Sequence, residues 1–144
     1  MAKAVTKLPL DLICFTGSTM TGRLVAIEAA KNLTPCLLEL GGKCPTIVDQ
    51  SAKIQNAVLR ILSGKYLNCG QTCIGVDHVY VHESLYKEFR KAFLEEMDKN
   101  YGNQNLQENP DYGRIINSLR TNRLEELLKD NHGGEVIYGG QIDK

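Results

Sequence analysis

The stretch Leu12-Ile13-Cys14-Phe15-Thr16-Gly17-Ser18-Thr19-Met20-Thr21-Gly22 decides how this chain folds. Leu12 to Phe15 is a short apolar run, the pattern of a buried strand, and Thr16-Gly17-Ser18 turns it. Ser18 or Thr19 suits the start of a helix, because a hydroxyl oxygen accepts a first-turn N–H. Leu24, Val25, Ile27 and Ala29 then give a helical apolar face as far as Lys31-Asn32. Pro35 resets the chain. Cys36 to Leu40 reads as a second buried strand, stopped by Gly41-Gly42. Strand, helix and strand in this order imply an α/β fold with at least one parallel sheet.

The same alternation continues outward. Thr46 to Val48 reads as a short strand after Pro45. Ile54, Val58, Ile61 and Leu62 fall at helical spacing, which predicts a helix over Ala52 to Lys65 that Gly70 ends. Val76 to His82 alternates as a strand does. Ser84 is the expected N-cap of a helix through Leu85, Phe89, Phe93 and Met97. A polar loop is expected over Tyr101 to Asp111 and a helix over Asn117 to Lys129. Gly133-Gly134 should end that helix, and Glu135 to Tyr138 should form a last strand. No internal repeat or low-complexity tract occurs. The glycine pair at 41–42 suggests a domain boundary.

Composition excludes several classes of function. Seventeen basic residues balance seventeen acidic ones without a basic run, so no nucleic-acid or membrane-surface partner is expected. Nothing approaches the ~20 apolar residues of a membrane span, and the opening residues lack the apolar region of a secretory leader. Five cysteines, an odd number without paired spacing, suggest reduced thiols and a cytoplasmic setting. Asn32-Leu33-Thr34 matches a glycosylation sequon, but Pro35 follows and we read the match as chance.

Three segments carry candidate chemistry. The turn Gly17-Ser18-Thr19-Met20-Thr21-Gly22 offers glycines and a helix N-terminus, which together suit a phosphate. Arg23-Leu24 follows where an ATP-binding loop would place Lys and Ser or Thr. The alternative is a plain strand–helix turn. In Glu39-Leu40-Gly41-Gly42-Lys43, a carboxylate ends an apolar strand, where burial is costly unless the group is used or paired. Glu39 is therefore a candidate general base, against the alternative of a solvated strand end. In Asn68-Cys69-Gly70-Gln71-Thr72-Cys73, a glycine turn after a helix can expose a thiol beside backbone N–H groups. Cys69 reads as a small core hydrophobe. For Cys73, spacing alone leaves nucleophile and core thiol open.

A metal reading fails on distance. His78 and His82 stand four apart on an expected strand, about 13 Å at ~3.3 Å per residue, too far for one zinc ion with Cys69 and Cys73. His132 is expected in a surface turn at a helix end.

Taken together and in this order, Phe15-Thr16-Gly17-Ser18-Thr19, Leu38-Glu39-Leu40-Gly41-Gly42-Lys43 and Asn68-Cys69-Gly70-Gln71-Thr72-Cys73 resemble the aldehyde dehydrogenase superfamily. The flanks Lys31-Asn32-Leu33-Thr34-Pro35 and Asp111-Tyr112-Gly113-Arg114-Ile115-Ile116 resemble its class 3 and fatty-aldehyde branch. The resemblance runs from about Leu10 onward. It implies the last part of a Rossmann-like NAD(P)-binding domain over residues 1–40, then the first part of an α/β catalytic domain over 41–144.

The resemblance also assigns roles. Gly17 to Gly22 would line the NAD or NADP site, with Gly17 and Ser18 nearest the pyrophosphate. The backbone of Leu40 would lie near the nicotinamide. Glu39 would be the general base and Cys73 the nucleophile that oxidises an aldehyde to an acid through a thiohemiacetal and a thioester. No metal is implied, and full-length relatives are expected to be homodimers. The family's oxyanion-hole asparagine, its ribose-binding residues and its oligomerisation segment match nothing in these 144 residues. The chain alone is therefore expected to be inactive and to expose apolar edges. Two readings follow: a central segment of an aldehyde dehydrogenase, or a short non-catalytic paralogue that binds nucleotide or a complete subunit.

Overall fold

The computed structural model describes residues 2–102, 106–130 and 133–142. The chain divides into two compact units, Met1–Cys44 and Pro45–Lys144.

The first unit holds a short helix α1 (Ala2–Val5), strand β1 (Ile13–Thr16), helix α2 (Thr19–Ala30) and strand β2 (Cys36–Glu39). β1 and β2 pair in parallel, with Ile13 opposite Cys36 and Thr16 opposite Glu39. The helix between them provides the crossover that parallel strands require. Ile13, Val25 and Ala29 form the core, flanked by Phe15, Cys36 and Leu38. Thr34 is the one buried polar residue among those described. Its hydroxyl donates to the Leu10 carbonyl at 2.9 Å, which offsets the cost of burial. The expected apolar face of α2 is only half realised. Val25 and Ala29 are buried, whereas Leu24 and Ile27 are 60% and 59% exposed. A two-stranded sheet is too narrow to cover both sides of the helix.

In the second unit, β3 (Cys44–Val48) starts at the last residue of the first and pairs with β4 (Val76–Val81). Between them run α3 (Ile54–Tyr66) and a 3₁₀ turn, Leu67–Gly70. After β4 come a 3₁₀ turn at Glu83–Leu85, α4 (Tyr86–Met97), a wide π turn at Asp98–Gly102 and α5 (Ser118–Lys129). Pro45 lies inside β3, which is tolerated because a two-stranded sheet leaves one edge unpaired. Val48, Ile54, Val58, Ile61, Leu62, Phe89, Ala92 and Met97 form the core. Val48 comes from β3, and helical spacing gathers the others on one side each of α3 and α4.

Two local expectations are corrected and a third is met. Ser84 does not cap α4; the side chain of His82 accepts the Ser84 N–H at 3.3 Å, and α4 starts behind Leu85 without a side-chain cap. The expected helix over Asn117 to Lys129 is met by α5, with Asn117 as its N-cap and Lys129 its last residue. Glu135 to Tyr138 forms no strand and pairs with neither described sheet. Its Tyr138 packs against the core instead, and the Tyr138 hydroxyl donates to the Met97 carbonyl at 3.3 Å. His132 lies outside the described residues. Among the described residues, no helix is long and apolar enough to cross a membrane.

Candidate active site

In the first unit, the end of β1 and the start of α2 gather most of the expected cofactor residues. Gly17 leaves β1 with its N–H donated to the Glu39 carbonyl at 3.1 Å, which extends the parallel ladder by one bond. Ser18 then caps α2 from an extended conformation. Its Oγ accepts the Thr21 N–H at 3.2 Å and pairs with the Thr21 hydroxyl at 2.9 Å. Thr19, Met20 and Thr21 are exposed, so the first turn of a twelve-residue helix faces solvent. N–H groups of a first turn lack intrahelical acceptors, and the helix dipole adds positive potential there. This arrangement fits the phosphates of a dinucleotide.

The two glycines have steric reasons of their own. A Cβ on Gly17 would stand 2.6 Å from the Phe15 ring, and one on Gly22 would stand 2.8 Å from Leu40 Cδ2. Leu40 is half-buried with its side chain over Gly22. The Glu39 side chain is exposed at the end of β2, so it carries no cost of burial.

In the second unit, α3 delivers the chain into an unusual turn. Asn68, Cys69 and Gly70 all have positive φ, at 52°, 55° and 74°. Glycine takes this conformation freely and asparagine tolerates it; cysteine does so at a cost. Ties on both sides hold the turn. The Asn68 side chain donates to the Gln71 carbonyl at 3.3 Å, and the Gln71 N–H returns to the Asn68 carbonyl at 3.1 Å. Thr72 Oγ1 donates to the Leu67 carbonyl at 3.4 Å. The turn leaves Cys73 exposed ahead of β4.

Cys69 is half-buried beside Tyr112 and Gly113 and belongs to neither hydrophobic core, so it is not the core residue expected from the sequence. Around it Tyr66 and Tyr101 stack at 4.6 Å, and Tyr101 meets Tyr112 edge-on at 6.0 Å. Burial pushes the Tyr66 phenol up to about 12, with neighbouring tyrosines adding to the shift. Tyr101 and Tyr112 are raised for the same first reason, and Tyr112 also by Cys69 beside it.

No group of three or more possible metal ligands occurs among the described residues. His78 lies 3.4 Å from the Asp77 carboxylate, and His82 is engaged with Ser84.

A sequence profile of the aldehyde dehydrogenase family matches residues 2–144. The chain belongs to that family. It is 43% identical over 137 residues to the 4,4'-diaponeurosporen-aldehyde dehydrogenase of Staphylococcus aureus, covering 95% of this chain and 29% of that protein. It is 42% identical over 134 residues to mouse aldehyde dehydrogenase family 3 member A2, covering 93% of this chain and 27% of the relative. Betaine aldehyde dehydrogenase of Staphylococcus aureus, solved in complex with NAD+, superposes with a TM-score of 0.85 at 27% identity. That match covers all of this chain and 29% of the solved one. The chain thus spans under a third of the length of these relatives, and its two units are an α/β portion of the aldehyde dehydrogenase fold.

Sequence reasoning missed the residues that fasten the thiol-bearing turn. Gln71 reaches the backbone of Arg114 and Ile116, and the Arg114 guanidinium binds the carbonyls of Gln107, Tyr112 and Gly113. No periodicity marks such partners, because they lie more than forty residues apart in an irregular segment.

Proposed function

We propose that this chain supplies the nucleophile, the general base and the dinucleotide turn of an NAD(P)-dependent aldehyde dehydrogenase. One observation carries this reading: a single family match runs through all three motif segments in order. In it, residues 1–40 belong to the nucleotide-binding part and residues 41–144 to the catalytic part.

Gly17, Ser18, Thr19, Met20, Thr21 and Gly22 would hold the pyrophosphate at the start of α2, with the Leu40 backbone near the nicotinamide. The NAD+ complex of betaine aldehyde dehydrogenase supports this choice of cofactor class. When bound, the nicotinamide cofactor accepts a hydride.

The remaining chemistry belongs to side chains of this chain. The Cys73 thiolate attacks the aldehyde carbon, and the carbonyl oxygen becomes the oxyanion of a thiohemiacetal. Loss of hydride from that carbon leaves a thioester on Cys73. Glu39 takes a proton from water as the water oxygen attacks the thioester carbon. The carbon–sulfur bond then breaks, which releases the carboxylic acid and restores the thiolate. The exposure of Cys73 suits attack on an incoming substrate, and the exposure of Glu39 leaves it in reach of water.

The test is kinetic. In the natural polypeptide that carries this sequence, Cys73→Ala should abolish aldehyde-dependent NAD(P)H formation. Glu39→Gln should spare a first burst of NAD(P)H and slow the turnovers that follow it. Full activity without the Cys73 thiol would sink the assignment.

A further inference from the structure

Two residues before Cys73, the Gln71 side chain makes both kinds of bond its amide allows. Its Nε2 donates to the Arg114 carbonyl at 2.9 Å, and its Oε1 accepts the Ile116 N–H at 3.0 Å. These are the two bonds a neighbouring strand would make to that stretch of backbone. The same Nε2 also donates to the Asn68 carbonyl at 3.1 Å, so one amide joins both ends of the turn to a segment 43 to 45 residues away.

The turn needs such a tie. Asn68, Cys69 and Gly70 stand consecutively at positive φ, which glycine adopts freely and asparagine tolerates, but which Cys69 adopts only when its surroundings enforce it. The Arg114 segment is itself braced, since its guanidinium binds the Tyr112 and Gly113 carbonyls at 2.9 and 3.0 Å. Gln71 therefore connects a strained turn to a stiffened neighbour.

We infer that Gln71 is the positioning residue of the nucleophile: its amide pins the turn to Arg114 and Ile116 and thereby holds Cys73 for attack. This rests on Cys73 as the nucleophile. Gln71 is exposed, so its bonds compete with water and add little to global stability. Thiol placement is more sensitive, because a displacement of about 1 Å can cost on the order of 100-fold in rate.

Two variants of the natural polypeptide test this. Gln71→Leu removes both bonds at similar size; Gln71→Glu keeps an acceptor for the Ile116 N–H and loses the donor to Arg114. In Gln71→Leu, amide exchange at Ile116 should accelerate sharply while α3 and α4 keep their protection. Its kcat should fall roughly 10- to 100-fold, with KM for aldehyde within about threefold of the parent. Gln71→Glu should retain protection at Ile116 and an intermediate kcat. Lost protection at Ile116 with unchanged kcat would make Gln71 merely structural and overturn the proposal. Unchanged protection in Gln71→Leu would also overturn it, by removing the clamp. Activity that survives Cys73→Ala refutes the assignment of the nucleophile instead, and the exchange result at Ile116 stands apart from it.

Discussion

Leu40 closes over Gly22, so that a Cβ built on the glycine would come within 2.8 Å of Leu40 Cδ2. The contact joins the end of β2 to the first turns of α2, beside the proposed pyrophosphate site. Alanine in a helix is favoured over glycine by roughly 0.5–1 kcal/mol, but here Leu40 must move to admit it. Gly22→Ala should therefore be neutral or destabilising in the parent and stabilising in a Leu40→Ala background. The coupling should be about 1 kcal/mol in a double-mutant cycle by urea unfolding. Simple additivity would show that Leu40 swings aside freely.

Ser18 separates helix capping from anion binding. Its Oγ accepts the Thr21 N–H, so Ser18→Ala should cost about 1 kcal/mol of stability. Aspartate caps as well as serine, so Ser18→Asp should preserve the unfolding midpoint. It also places a carboxylate where the proposed pyrophosphate sits. Calorimetric titration should find NAD(P) binding to Ser18→Asp weakened about tenfold, and more at low salt than at high salt. Equal affinity at both salt concentrations would move the dinucleotide away from this helix end.

The βαβ unit was legible because each of its signals is local. The apolar run of β1, the hydroxyl of Ser18 and the stop after β2 act within a few residues, and Asn117 likewise caps α5 by accepting the Arg120 N–H at 3.0 Å. Errors arose where long-range context decides. Glu135 to Tyr138 has the composition of a strand, but composition does not supply a partner edge. Leu24 and Ile27 fall at core spacing on α2, yet the narrow sheet leaves them exposed. For the site, the proposal for Cys73 rests on its company with Glu39 and the Gly17 turn, since its own spacing leaves nucleophile and core thiol open. The clamp at Gln71 had no local signature, since both partners are backbone atoms of a distant irregular segment.

Neighbours on α3 should differ sharply in their sensitivity. Val58 is wholly buried at the centre of the second unit's core, whereas Leu59 is 49% exposed. Truncating Val58 to alanine removes buried methyl groups and leaves a void, a loss of about 2 kcal/mol. Leu59→Ala should stay within about 0.5 kcal/mol of the parent. Chemical denaturation of the two variants measures the contrast. Comparable losses would mean that a further surface covers Leu59.

The stacked tyrosines make stability sensitive to alkali. Burial raises the Tyr66 phenol to about 12, whereas an unfolded tyrosine ionises near ~10. The folded state thus keeps a proton that the unfolded state releases first. The stabilising contribution is fully present below about pH 10 and is lost as pH rises towards 12. Tyr101 and Tyr112 shift in the same direction and add to the trend. Melting temperature should accordingly be flat across neutral pH and fall above about pH 10. Tyr66→Phe removes the titrating hydroxyl but keeps the ring stacked on Tyr101, so its alkaline decline should be shallower. Phenolate absorbance recorded alongside should show the slow-titrating tyrosine missing from that variant. An equally steep decline in Tyr66→Phe would shift the cause to the remaining tyrosines.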